Sequence, residues 1–249
     1  MKKNSIGARF RGAARLAAMG GVLLAAALDY VCIGARRREL AVKAEWLSRT
    51  CRRLLRALGI RVVSRGMPAR GAVIVSNHLS YIDIVVLSSL TPVVFVAKRE
   101  VRGWPLFGWF AEKAGTRFID REKRGDVTRI GGELGPVMEA GPSVVLFLEG
   151  TTSDGREVLP FRASLLAPAV AASWKLAPAG ITYVVPNDRS AETEVCWWGD
   201  MTFPPHLGNL ATLSWVEARV AWGENVQAAG DRKVLAGVLR DEVARLRAD

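Results

Sequence analysis

The amino-acid sequence predicts an α/β fold, a largely parallel central sheet flanked by helices, preceded by N-terminal membrane-associating helices. From Ile60 onward, short runs of β-branched and aromatic residues alternate with helix-capable stretches, the pattern of strands joined by helical crossovers. Hydrophobic residues fill 50% of the 249 positions, enough for a sizeable core. Residues 1–58 differ from the rest, with one long apolar run and one basic amphipathic segment. The chain thus divides into membrane-anchoring or amphipathic helices over 1–58 and an α/β domain over 59–249.

Taken in order, Lys2, Lys3, Arg9, Arg11 and Arg15 precede an apolar run from Leu16 to Gly34, broken only by Asp29 and closed by Arg36, Arg37 and Arg38. A cleaved secretion signal starts the same way, but the carboxylate inside the run and its basic exit argue against one. The run is borderline in length for a bilayer span, and Asp29 makes deep burial costly. It reads as a membrane-anchoring helix, spanning or interfacial; the alternative is a buried helix of the globular domain. Next, Trp46, Leu47, Cys51, Leu54, Leu55 and Leu58 share one helical face, and Arg49, Arg52, Arg53 and Arg56 take the rest, with Gly59 as a natural stop. Such a helix suits an anionic bilayer surface, or docks on the domain with its basic face solvated.

Strands are expected at "IRVVS", "AVIVS", "VVFVA", "TRFI", "SVVLFL", "AGITYVV", "EVCWW" and "VEARVAW", and helices at 80–90, 105–114, 125–140, 161–174 and 231–247. The formal net charge of +11 implies an anionic partner: nucleic acid, a membrane surface or an acidic substrate. Eight tryptophans favour the membrane, where indole prefers the interface. The arginines cluster around the apolar N-terminus rather than interleaving with stacking aromatics, so nucleic acid is not expected. Cys32, Cys51 and Cys196 are odd in number and form no C-x-x-C pair, against a disulfide framework or a metal site.

Two stretches carry chemistry. In "SNHLSYID", His78 is one of only two histidines and follows an apolar strand, at the sheet edge where ligands of open α/β folds bind. Ser80 looks like a helix N-cap with Asp83 as its partner. On a continuous helix, residues five apart diverge by about 140°. With His78 in the preceding loop, Asp83 can instead reach back to the imidazole, fix its tautomer and stabilise its cation, leaving the other nitrogen to take a proton from a hydroxyl. A capping aspartate beside a structural histidine is the plain alternative. In "VVLFLEGTTSDG", a strand ends in Glu149, Gly150, Thr151, Thr152 and Ser153, a polar loop able to hold a head group or an ordinary turn. His206 shows no partner in sequence and reads as structural. The aromatic "GWPLFGWF" at 103–110 suits an acyl channel wall, the membrane interface or the core.

These stretches resemble the 1-acylglycerol-3-phosphate (lysophospholipid) acyltransferase family, of bacterial type. Asn77, His78 and Asp83 match its N-H-x4-D block. "KREVRGWPLFGWFAEKAGTRFIDR", with Lys98 and Arg121, is similar to the second block. Glu149, Gly150, Thr151 and Ser153 match the third, and "LAPAGI" with Pro178 the fourth. The later "WWGDM" and "FPPHL" resemble bacterial members more loosely. The resemblance implies a glycerolipid-acyltransferase fold and a membrane-associated O-acyltransferase. His78 would be the base and Asp83 its orienting carboxylate. The donor would be an acyl thioester, acyl-CoA or acyl carrier protein, with no metal and no other cofactor. Glu149, Gly150, Lys98 and Arg121 would help bind the acceptor head group; Asn77, Thr151, Thr152 and Ser153 complete the candidate binding set.

The usual third block reads F-P-E-G-T-R-S, and here Thr152 replaces the arginine, a natural phosphate fork. Either Arg121 or Arg162 compensates, or the acceptor differs. The leading expectation is compensation, with lysophosphatidate acylated to phosphatidate in phospholipid biosynthesis; lyso-ornithine lipid is the alternative acceptor. A non-catalytic basic module binding lipid or nucleic acid is the alternative of another class. The richer basic flank after the apolar run favours the inner membrane, with the catalytic domain facing the cytoplasm.

Overall fold

The computed structural model describes residues 5–68, 70–120, 124–186 and 188–248. Two helices come first, α1 (Ile6–Cys32) and α2 (Leu40–Leu58), joined by a 3-10 turn over Gly34–Arg38. There follow β1 (Ile60–Arg65), β2 (Val73–Ser76), α3 (Ile82–Leu90), β3 (Val93–Lys98), α4 (Phe107–Lys113), β4 (Arg117–Ile119), α5 (Arg124–Glu139) and β5 (Ser143–Leu146). The chain closes with α6 (Ala167–Ala171), β6 (Lys175–Val184), α7 (Ala191–Glu194), α8 (Phe203–Thr212), β7 (Val216–Trp222), β8 (Val226–Gln227) and α9 (Arg232–Ala248).

The sheet order is β1-β7-β6-β2-β5-β3-β4, with β8 pairing β6. The run from β6 through β4 is parallel throughout; β7 turns antiparallel to β6 and carries β1 parallel to itself. The central strands β2 and β5 are buried at every residue, as strands covered on both faces must be. Their side chains alternate between two layers. Ile74 and Val145 pack towards α2, α3 and α8, whereas Val73, Val75, Val144 and Leu146 pack towards α5, α6 and α9. Gly180 lets α9 lie on β6: a Cβ there would stand 2.8 Å from the Arg247 backbone nitrogen.

One expected strand does not form. In "EVCWW", Glu194 ends α7, while Val195 and Cys196 are buried in irregular chain. The Trp197 N–H donates to the Leu79 carbonyl at 2.8 Å, a single tie rather than a ladder.

The N-terminal helices share the core. α2 sends Leu55 and Leu58 under the sheet. α1 is long and apolar enough to cross a membrane by length and composition, with a mean hydropathy of 1.5 over its best window. Its Ile6, Phe10, Leu24, Leu28 and Val31 are exposed. Arg11 and Arg15 dock α1 on the domain by donating to the Thr212 and Leu213 carbonyls, each at 2.6 Å. These are terminal carbonyls of α8 that lack helical partners. Asp29, the charge inside the apolar run, pairs with Arg53 of α2 at 2.7 Å.

Candidate active site

β2 delivers the chain to the C-terminal edge of the parallel strands, where Asn77 and His78 precede α3. The His78 Nδ1–H donates to Asp83 Oδ2 at 2.8 Å, which leaves the lone pair on Nε2. The ring stacks on Phe147, with centroids 3.8 Å apart and planes 8° apart. Asp83 is wholly buried, and its charge is met by four donors. Oδ2 also accepts the N–H of Leu79 at 2.6 Å and of Ser80 at 2.9 Å, and Oδ1 accepts the Tyr183 hydroxyl at 2.6 Å. Only half of the expected cap forms. Asp83 reaches back to the Ser80 N–H, but Ser80 Oγ has no partner among the described residues and the helix opens at Ile82.

A shell of buried groups fixes this pair. Asn77 accepts the Ile181 N–H at 2.8 Å and donates to the Ile181 carbonyl at 3.0 Å, tying the histidine loop to β6. Glu149 Oε1 accepts the His78 N–H at 2.7 Å, and Oε2 accepts the Leu159 N–H at 3.0 Å. Burial pushes the Glu149 carboxyl up to about 7, against the pull of its two N–H donors. The Ser153 N–H donates to the His78 carbonyl at 3.0 Å. Gly150, at φ 77°, makes the turn that brings Glu149 and Ser153 to bear on the same loop. From behind, α9 holds the strap leading to Leu159: Arg247 donates to the Gly155 carbonyl and Arg240 to the Val158 carbonyl.

His78 opens onto a cavity of about 350 Å³ whose wall includes Lys98, Trp104, Thr151, Thr152 and Trp197. A second cavity of about 180 Å³ shares Tyr81, Ile84, Phe95, Ala97, Val101 and Trp104 with the first and continues between Leu23 of α1 and Leu47 and Leu54 of α2.

The structure therefore sorts the binding residues expected from sequence. Lys98, Gly150, Thr151 and Thr152 line the cavity with His78. Asn77, Glu149 and Ser153 are buried outside its wall, their polar groups or backbone spent on neighbouring chain. Arg162 is exposed and does not line it, and Arg121 lies outside the described residues. His206 does have partners: Nε2–H donates to the Cys196 carbonyl and Nδ1 accepts from the Tyr81 hydroxyl, each at 3.0 Å. The aromatic 103–110 segment divides, with Phe110 stacked on buried Trp46, Trp104 in the cavity wall, and Leu106 and Trp109 exposed.

Sequence reasoning missed Tyr183, which reaches Asp83 from β6, and Phe147, which backs the imidazole. No local signal marks Tyr183; only the adjacency of β6 to β2 places it there. The Phe-x-Glu spacing that aims Glu149 inward also sets Phe147 against His78.

The family model described as Acyltransferase matches residues 59–186, just over half of the chain. The chain belongs to the acyltransferase family. This acyltransferase is 38% identical over 206 residues, 77% of each chain, to a Brucella abortus (strain 2308) protein named lyso-ornithine lipid O-acyltransferase. It is 31% identical over 172 residues to a Neisseria meningitidis serogroup B protein named 1-acyl-sn-glycerol-3-phosphate acyltransferase, covering 68% of this chain and 67% of that one. Its fold matches the crystal structure of the 1-acyl-sn-glycerophosphate acyltransferase from Thermotoga maritima with a TM-score of 0.65, at 22% identity, over 92% of this chain and 89% of the other.

Proposed function

We propose that this acyltransferase moves a fatty acyl group from an acyl thioester to the free hydroxyl of lyso-ornithine lipid. The carrying observation is the cavity beside His78: its wall holds one cation among the described residues, Lys98, and presents Thr152 where the usual family block has arginine. A phosphate monoester carries up to two negative charges and rewards a guanidinium fork. An ornithine head group carries one carboxylate, balanced by its own ammonium, and needs one cation. Arg162, offered by the sequence as compensation, stands outside the wall. The Brucella relative's name supports the same acceptor. Lysophosphatidate is the second reading, favoured by the name of the neisserial relative.

The chemistry follows from the pair. With Nδ1–H on Asp83, Nε2 takes the proton of the acceptor hydroxyl as its oxygen attacks the thioester carbonyl carbon. The buried carboxylate balances the imidazolium that forms. The tetrahedral intermediate collapses, the carbon–sulfur bond breaks, and the proton on Nε2 passes to the departing thiolate. The donor's acyl chain fits the apolar cavity that runs toward α1 and α2. Neither buried cysteine competes as nucleophile, since burial pushes the Cys196 and Cys51 thiols each up to about 12, and exposed Cys32, at the end of α1, does not line the cavity. The exposed apolar face of α1 and the basic face of α2 attach the enzyme to the cytoplasmic side of the inner membrane, where acyl-CoA or acyl carrier protein is available.

The test supplies labelled acyl thioester with lyso-ornithine lipid or lysophosphatidate to the full-length enzyme in membranes. The expected product is diacylated ornithine lipid. Acylation of lysophosphatidate alone would overturn the acceptor assignment.

A further inference from the structure

At the opposite edge of the sheet from His78 lies a groove of about 800 Å³ that the chemistry above leaves unused. It sits where the parallel strands begin: Thr91 and Pro92 lead into β3, and Gly141 and Pro142 lead into β5. The first half of α2 and the end of α1 complete its wall, α1 through Cys32 and Ile33.

Four arginines line this groove, Arg36, Arg49, Arg52 and Arg70, against two carboxylates, Glu39 and Glu45. Positive charge is therefore in excess, and the carboxylates are shared out loosely. Glu45 Oε1 serves both Arg49, at 3.9 Å, and Arg52, at 3.4 Å, and Glu39 stands 3.8 Å from Arg36. By contrast, Arg53 and Asp29 close to 2.7 Å, the separation of a tight charge-assisted bond. Arg70 has no hydrogen bond or ion pair among the described residues. An anion in the groove would gain guanidinium contacts that the protein's own carboxylates leave open.

The surroundings select what carries that anion. Leu24, Leu28 and Val31 form an exposed apolar stripe along α1, and Cys32, in the groove wall, directly follows Val31. A phospholipid held here has its phosphate among the arginines and a matching surface for its chains on the stripe. A soluble acyl donor must instead present its thioester at His78, at the other edge of the sheet.

We infer that this groove is a binding site for the head group of an anionic membrane phospholipid, with Arg36, Arg49, Arg52 and Arg70 holding the phosphate. The lipid is held rather than acylated, since His78 lies at the far edge. The site is separate from the acceptor cavity and does not depend on which lysolipid is acylated.

The experiment reconstitutes the full-length enzyme in vesicles of equal parts phosphatidylglycerol and phosphatidylcholine, extracts it in mild detergent and weighs it by native mass spectrometry. One phosphatidylglycerol should stay bound, and no phosphatidylcholine. Arg49→Gln combined with Arg70→Gln should cut the retained lipid by roughly ten-fold or more, the effect of lost charge-assisted contacts. Arg70→Gln alone, at an exposed and unpaired position, should lower it in the same direction and serves if the double variant folds poorly. Arg219→Gln, exposed on β7 outside the groove, should leave it unaltered. Retention of both lipids alike, or of neither, overturns the site. Phosphatidylglycerol retention that survives the groove variants overturns its assignment to these arginines. Displacement of the lipid by inorganic phosphate at equal concentration makes this a free-phosphate site and overturns the lipid reading. Groove variants that keep the lipid but lose turnover with acyl carrier protein, and not with acyl-CoA, make it a carrier dock and overturn the proposal as well.

Discussion

Replacing Tyr183 with phenylalanine removes one oxygen from β6 and tests how Asp83 is held. The Tyr183 hydroxyl donates to Asp83 Oδ1 at 2.6 Å, the only contact on that oxygen among the described residues. Burial holds the phenol pKa well above its ordinary value, so it stays a donor at any assay pH. The other three donors all lie on Oδ2. In the variant, a fully buried anion keeps one oxygen without a partner, and a hydrogen bond to a charged group contributes about 1.5–3 kcal/mol. For a protein of this size that lowers Tm by roughly 3–12 °C. Part of the same loss falls on catalysis, because Asp83 must balance the imidazolium; kcat should drop roughly ten-fold. KM should hold for both substrates, since Tyr183 does not line the cavity. Initial rates with labelled donor, paired with thermal denaturation followed by circular dichroism, read both effects. A Tyr183→Phe enzyme with unaltered kcat and unaltered Tm would refute the view that this bond secures the carboxylate.

Two further substitutions probe the loop after β5. Glu149 has its carboxyl raised from 4.5 to about 7, so the folded state binds more protons than the unfolded one across that window and loses stability as pH rises through it. Glu149→Gln should flatten this slope, shrinking the fall in Tm between about pH 5 and about pH 8; an unchanged slope would show that another group sets it. Thr152→Arg places a guanidinium in the cavity wall and should raise kcat/KM for lysophosphatidate by roughly ten-fold without raising it for lyso-ornithine lipid. An equal gain for both acceptors would mean that position 152 does not read the head group.

Much of the molecule was legible because its signals are local. The alternation of strands and helices after Ile60, and the return of Asp83 onto His78, both follow from a few adjacent residues. What escaped depends on distant parts of the chain. Tyr183 meets Asp83 a hundred residues away only because β6 lies beside β2, and strand order is not written in either strand. Glu149 reads as part of a polar loop that holds the acceptor head group, yet both its oxygens face inward onto the His78 and Leu159 N–H groups, next to the turn at Gly150. "EVCWW" has strand composition but pairs with no strand; Val195 and Cys196 pack into the core, and Trp197 and Trp198 line the cavity wall. The helix at Phe203–Thr212 hides behind Pro204 and Pro205, which look like breakers. They stand in the first turn, where a helix needs no N–H donors.

The central claim is that His78 is the base of an acyl transfer to a lyso-lipid, and His78→Ala tests it most directly. The full-length variant, shown to be folded by an intact thermal transition, is given labelled acyl thioester and lyso-ornithine lipid beside the unaltered enzyme. Turnover should fall by roughly 10²–10⁴-fold, the contribution of a positioned general base. A folded His78→Ala enzyme that keeps most of its turnover would contradict the account.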